Sequence, residues 1–259
     1  MDLLTVGGAI IGAVAIYIVM ARGQIVHMLF NLDAFLLVVV GTLSSTFIAY
    51  PWSTIKSIPK AFSLAFFPNK RESSLQMIEI VVGLSEKAKR SGFAGLQPEI
   101  AGLKDKFLKN AVKMMVDGYD IDIIEDNLEK EILYVRERHQ KVSSVFRMMA
   151  TVAPIFGLLG TLLGVVQVLR NITDPTSMGA AMATAVAATF FGIFAANFAF
   201  LPVAVKLSEY SEDEILNMEL ITEGIVSIHK GDVPVITEKK LEGYLSAILR
   251  EQSQQSKQI

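Results

Sequence analysis

The sequence predicts an all-α integral membrane protein with four transmembrane helices and a helical cytoplasmic region. Hydrophobic residues make up 52% of the 259 residues and charged residues only 19%, whereas soluble domains have about 45–50% and about 25%. No run of alternating apolar and polar residues is long enough to predict a strand. Four stretches lack Asp, Glu, Lys and Arg, and each is long enough to cross about 30 Å of hydrocarbon as a helix: residues 3–21, 34–55, 148–169 and 175–205.

The first hairpin is predicted over residues 1–50, with spans at about 3–21 and 34–52. A cleavable signal peptide would begin with a basic segment. Here Asp2 precedes the first apolar stretch and Arg22 follows it, so we expect this stretch to remain as a span.

The polar region at 51–147 is predicted to be cytoplasmic and helical. It holds 16 of the 24 Lys and Arg residues, and 6 more follow from Lys206 onward. Basic residues favour the cytoplasmic side of a membrane, so both termini are expected there as well. Apolar residues recur at helical spacing in two stretches that end near a glycine, a common helix stop: Leu75, Ile78, Val82 and Leu84 before Gly92, and Phe107, Leu108, Val112 and Met115 before Gly118.

A second hairpin is predicted over residues 148–207, with spans at about 148–169 and 178–205. The stretch before it begins acidic and ends basic, which suits the dipole of one long helix that enters the third span. Residues 208–259 are predicted to form further cytoplasmic helices and to end in a disordered polar tail.

Small residues line one face of each span in this second hairpin. Pro154, Gly157, Thr161 and Gly164 share a face of the third span, and Ala181, Ala185, Thr189 and Gly192 form a stripe along the fourth. Tight packing between helices is one explanation for such stripes. Pro154 favours a second, because proline frees the carbonyl four residues earlier. A free carbonyl at membrane depth is tolerated only beside protein or a hydrated cavity.

No ionisable side chain lies inside the third or fourth span. Proteins that move protons or cations usually keep such a group within the membrane. The chain therefore either moves no ions or relies on a carboxylate from another subunit.

The chain has no cysteine, three scattered histidines, a net charge of −2 and no recognisable nucleophile–base pair. We therefore expect no enzyme activity, no cofactor, no permanent metal site and no nucleic-acid binding.

Three segments closely resemble the A subunit of bacterial flagellar stators, the MotA/PomA family: ERHQKVSSVFR, APIFGLLGTLLG and TFFGIFAANFAFLPVAVKL. The likeness covers essentially the whole chain, and the last two spans more distantly resemble the ExbB/TolQ energy transducers. The resemblance implies a ring of five A subunits around two B subunits in the bacterial cytoplasmic (inner) membrane. The B subunit (MotB/PomB) would supply an intramembrane aspartate, and an inward cation gradient would generate torque on the rotor protein FliG.

The resemblance also assigns roles to particular residues. Lys89 and Arg90 match basic rotor-binding positions. Where the family has an acid after a leucine, this chain has Gln97, so Glu99 is nominated instead. Sodium-driven relatives have threonine at the position of Thr161, which favours Na⁺ over H⁺ as the coupling ion and a transient Na⁺ near Thr161 and Thr189. The predicted ion-pathway and partner-helix face, including the family's two functional prolines, comprises Pro154, Gly157, Thr161, Gly164, Thr189, Gly192 and Pro202.

Two other interpretations stay open on the sequence. The first is an ExbB/TolQ-like energy transducer, against which the first hairpin and the long C-terminal region argue. The second is a self-contained ion channel or transporter, but the spans offer neither an intramembrane charge nor a pair of broken helices.

Overall fold

The computed structural model describes residues 3–29, 31–67 and 72–245, and within these ranges it contains helices and turns but no strand. The prediction of an all-α chain is confirmed. The predicted disordered tail lies outside the described residues. The α-helices are α1 (Leu3–Arg22), α2 (Val26–Leu29), α3 (Leu32–Ala49), α4 (Trp52–Ile55), α5 (Ile58–Phe66), α6 (Ser74–Ser91), α7 (Lys106–Val116), α8 (Ile121–Arg170), α9 (Pro175–Phe194), α10 (Leu201–His229) and α11 (Pro234–Glu242).

Three helical stretches are long and apolar enough to cross a membrane: Leu32–Ala49, Ile121–Arg170 and Pro175–His229. Helix α1 adds a shorter apolar stretch, Gly7–Arg22. Helix α8 has 50 residues and is therefore about 75 Å long, more than twice the thickness of a bilayer core. The prediction that one helix leads from the polar region into the third span is confirmed.

The ends of α3 are set by local chemistry. The side chain of Asn31 accepts a hydrogen bond from the backbone N–H of Ala34 at 3.0 Å and so caps the first turn. Tyr50 is extended at the other end, as a residue before proline prefers. The helix therefore begins and ends slightly earlier than the predicted span at about 34–52.

A π-helical segment, Ala195–Phe200, joins α9 to α10. The N–H of Leu201 donates to the carbonyl of Ala196, five residues earlier. In an α register the carbonyl of Phe198 would need the N–H of Pro202, which proline lacks. The π register offers that carbonyl the N–H of Val203 instead, so the proline accounts for the change of register.

The residues form two compact units, and the boundary between them falls within α8 and within α10. Unit 1 comprises Met1–Asn69 and His139–Glu209. Its exposed surface carries many large apolar side chains, such as Ile11 at 72% and Ile48 at 88% exposure. Exposed apolar side chains along long apolar helices suit contact with lipid or with another membrane helix. The largest buried cluster of unit 1 consists of Ala61, Ala65, Val145, Phe146, Met149, Val203, Ala204 and Leu207.

Unit 2 comprises Lys70–Arg138 and Tyr210–Ile259. Its core contains Ile78, Leu84, Phe107, Leu108, Val112 and Met115, as the helical spacing predicts, whereas Leu75 and Val82 are only partly buried. Two glycines end helices in the left-handed conformation, Gly92 with φ 68° and Gly118 with φ 81°. Helix α6 begins with a capping box in which Ser73 and Gln76 bond each other's backbone. Both helix ends predicted at these glycines are confirmed.

Candidate functional site

The third and fourth spans of unit 1 approach each other through glycine. A Cβ atom placed on Gly192 would lie 2.7 Å from the carbonyl oxygen of Ala153 and 3.1 Å from the Cα of Pro154. One placed on Gly157 would lie 2.9 Å from the carbonyl oxygen of Ala188. Neither position has room for a side chain. Packing of α8 against α9 within one chain therefore accounts for these two glycines, as the tight-packing explanation requires.

The interface between α8 and α9, called the seam below, also contains a cluster of oxygen atoms. The Oγ1 atoms of Thr161 and Thr189 lie 2.5 Å apart, so the two hydroxyls are hydrogen-bonded across the helices. The carbonyl oxygen of Gly157 lies 3.2 Å from the Thr161 hydroxyl and 3.5 Å from the Thr189 hydroxyl. Both threonines are only partly buried. The cluster offers three neutral oxygens at the edge of the helix pair, a type of ligand that suits a hard cation.

The other predicted residues of this face are placed as follows. Pro154 lies inside α8 one turn before Gly157, and the helix continues through it without interruption. Gly164 is buried against Ala181 and Ala185, further toward the C-terminal end of α8. Pro202 is exposed in the first turn of α10. The structure thus brings together Pro154, Gly157, Thr161, Thr189 and Gly192, with Gly164 along the same seam and Pro202 beyond the π segment.

Another contact in unit 1 joins residues that the sequence analysis did not connect. The side-chain amide of Asn31 donates to the Thr184 hydroxyl at 2.8 Å while its oxygen caps α3. The two residues are 153 positions apart, so no local pattern indicates the bond. In residues 3–29, 31–67 and 72–245 there is no group of three His, Asp or Glu side chains that could hold a metal ion.

In unit 2, the predicted rotor-binding residues lie at the end of α6 and in the turns after it. Lys89 and Arg90 are both exposed in the last turn of α6. Glu99 begins a short 3₁₀ helix and forms an ion pair of 2.7 Å with Lys87. Arg90 lies 4.0 Å from Glu86 of its own helix. The acid nominated from the sequence is therefore paired with a lysine that the sequence analysis did not select.

A cavity of about 240 Å³ lies beside Lys89, lined by Ser85, Ala88, Lys89, Gly92, Phe93, Ile228, Gly231 and Asp232. The ring of Phe93 stacks on His229 with centroids 5.3 Å apart. Hydrogen bonds from Lys240 and from the Ser227 hydroxyl hold the pKa of the Asp232 carboxyl below its usual range. Asp232 is therefore ionised at neutral pH with its charge engaged by Lys240, while Lys89 lines the same cavity.

Comparisons with known proteins show which proteins the chain is similar to. Residues 99–220 match the model of the MotA/TolQ/ExbB proton channel family. The chain is 34% identical to motility protein A of Borreliella burgdorferi over 95% of both chains. It is 32% identical to the chemotaxis protein PomA of Vibrio alginolyticus, over 95% of this chain and 96% of PomA.

Solved structures are similar as well. A chain in the flagellar MotAB stator complex from Bacillus subtilis superposes with a TM-score of 0.88 at 31% identity, over 97% of this chain and 98% of that one. A chain of C. jejuni MotAB superposes with a TM-score of 0.87 at 26% identity, over 95% of this chain and 97% of that one.

Proposed function

This chain belongs to the family of motility A proteins that includes PomA, and we propose that it acts as the A subunit of an ion-driven flagellar stator. As a member of this family it is a stator channel component of the inner membrane, not an enzyme. The observation that carries the proposal is the uncharged seam between α8 and α9, which offers hydroxyl and carbonyl oxygens but no carboxylate. A pathway for cations through such spans needs an acid from a partner.

The proposed partner is a B subunit of the MotB/PomB type that supplies an intramembrane aspartate. Support comes from the solved relatives, which are MotAB complexes. By family resemblance, five copies of this chain would surround two B helices, and an inward flow of cations would turn the ring against FliG. The basic residues of 51–147 support a topology with both termini in the cytoplasm. An ExbB/TolQ-like role is less well supported, because the motility A relatives match the chain over nearly its full length, first hairpin included.

For the coupling ion we infer Na⁺ rather than H⁺. Two hydroxyls and one carbonyl converge within hydrogen-bonding distance at Thr161, Thr189 and Gly157. Oxygen ligands favour a hard metal cation, whereas a proton needs only the partner's carboxylate and water. Each hydroxyl would replace one water of the sodium hydration shell as the ion passes.

Replacing Thr161 with alanine is expected to raise the sodium concentration that gives half-maximal swimming speed about tenfold or more, since a polar contact to a charged group is worth about 1.5–3 kcal/mol. Swimming speed should be measured while sodium is varied at fixed pH and constant ionic strength. Thr161→Ser is the matched control, because it keeps the hydroxyl and should keep the wild-type response. An unchanged sodium response in Thr161→Ala would rule out sodium binding at this residue.

Reversing the charge at Lys89 and Arg90 to glutamate is expected to reduce swimming speed severely while ion flow through the assembled complex stays normal. Both side chains are exposed, and like charges brought together at an interface cost several kcal/mol. Lys109→Glu with Lys113→Glu is a matched control, since these exposed lysines on α7 change the net charge equally. If both double variants swim equally well, the end of α6 does not contact the rotor.

A further inference from the structure

The segment between the second span and the polar region has an unusual composition. Residues 51–67 read PWSTIKSIPKAFSLAFF, with two lysines, no acid, three phenylalanines and the only tryptophan of the chain. The segment forms α4 and α5 and begins immediately after α3 ends. It therefore lies at the end of a membrane span, where the hydrocarbon gives way to headgroups.

One side of this segment packs on unit 1. Ala61 and Ala65 are buried in the cluster that contains Val145 and Phe146. The ring of Phe62 also stacks near Phe146, with centroids 6.5 Å apart. These contacts fix α5 against α8 and α10 within unit 1, so its remaining side chains have a defined direction.

Several other side chains of the segment are exposed. Trp52 is 74% exposed, Phe67 58% and Phe62 42%. Lys56 and Lys60 are exposed as well. Large exposed aromatic side chains next to lysines are typical of a membrane interface, where the rings lie at headgroup depth and the ammonium groups reach the phosphates.

The lipid bilayer is the occupant that these observations favour. Phe47 and Ile48, in the last turn of α3 just before the segment, are 54% and 88% exposed on an apolar span. With two lysines and no acid, the segment is complementary to anionic headgroups. We propose that residues 51–67 bind anionic phospholipid, with Lys56 and Lys60 on the headgroup phosphates and Trp52 and Phe67 among the first carbons of the acyl chains.

This proposal is independent of the coupling ion and of rotor contact, and it concerns how the stator is held in its membrane. The segment would enrich anionic lipid beside the inner end of α3. One lysine near the membrane favours an anionic surface over a neutral one roughly fivefold. The site would make stable insertion or assembly of the complex depend on the anionic lipid content of the membrane.

The test uses the fluorescence of Trp52 in the A–B complex, reconstituted into bilayers of phosphatidylcholine and phosphatidylglycerol. Two bilayers of identical headgroup composition are compared: in one the phosphatidylglycerol carries bromine, a quencher of tryptophan, and in the other an equal amount of phosphatidylcholine does. Subtracting the signal of the Trp52→Phe complex removes the tryptophans of the partner. We expect brominated phosphatidylglycerol to quench Trp52 at least about twofold more strongly than brominated phosphatidylcholine. This difference is smaller than the roughly fivefold preference for an anionic surface that one lysine gives.

The double variant Lys56→Gln, Lys60→Gln should lose this preference, so that both lipids quench equally. The double variant Lys109→Gln, Lys113→Gln removes two exposed lysines at the same spacing from α7 and should keep it. Equal quenching in the wild type would overturn the proposal, because the segment would then contact lipid without selecting its charge. Absence of quenching by either lipid would also overturn it, because protein, and not lipid, would then cover Trp52.

Discussion

Replacing Gly192 with valine is expected to prevent α8 and α9 from packing, so that little or no folded complex is recovered. A Cβ at this position would meet the backbone of Ala153 and Pro154 at 2.7 and 3.1 Å. Overpacking typically costs about 1–3 kcal/mol, and the cost is greater here because backbone atoms cannot turn aside as a side chain can. The measurement is the yield and thermal stability of the detergent-solubilised complex by size-exclusion chromatography.

Gly179→Val is the matched control for this substitution. Gly179 lies on the same helix, α9, and a Cβ there would have no neighbour within 4 Å. Its variant should assemble in nearly normal amounts, since only helix propensity changes. Equal yields for the two valine variants would mean that the seam between α8 and α9 can open by several tenths of an ångström without loss of the fold.

Replacing Pro154 with leucine is expected to abolish motility while leaving the complex assembled. Helix α8 continues through this proline, so the leucine N–H restores the missing hydrogen bond to the carbonyl of Ala150 and stiffens the helix. The free carbonyl of Ala150 and the compliance of the helix would disappear about two to three helical turns before Thr161, in the same span. Expansion on soft agar measures motility, and co-purification of the two subunits measures assembly.

Two further variants isolate the cause of that loss. Pro154→Ala restores the same hydrogen bond without the bulk of leucine, so it should also stop motility if the backbone is responsible. Ile155→Leu changes the adjacent side chain, which is 58% exposed, and should swim normally. Normal swimming of Pro154→Ala together with loss in Pro154→Leu would assign the effect to steric bulk next to Gly192 instead of to the backbone.

The sequence predicted those parts of the fold that depend on residues near one another in the chain. The helix ends at Gly92 and Gly118 follow from the φ that glycine allows, and the buried face of α7 follows from its spacing. The buried stripe of α6 was only partly predicted: Val81 is fully buried while Val82 is not. Where apolar residues are adjacent, periodicity does not decide which of them faces the core.

In the candidate site, too, the sequence predicted what depends on neighbouring residues and not what depends on packing between helices. Spacing alone puts Thr161 on one face with Pro154 and Gly157, but the contact between Thr161 and Thr189 depends on how two helices are rotated against each other. The ion pair of Lys87 with Glu99 and the bond of Asn31 to Thr184 likewise depend on tertiary packing. The π segment was not predicted, because Pro202 changes the pairing of residues that precede it in the chain.

The π-helical segment changes which residues of the fourth span share a face of the helix. The π-helical segment inserts one extra residue into the helix. Each side chain after Phe200 therefore points about 100° away from the direction it would have in a continuous α-helix. A single helical wheel from Pro175 to Lys206 would therefore assign Pro202 to the wrong side. Substitutions on either side of the segment should be plotted on two separate wheels before any of them is assigned to a common surface.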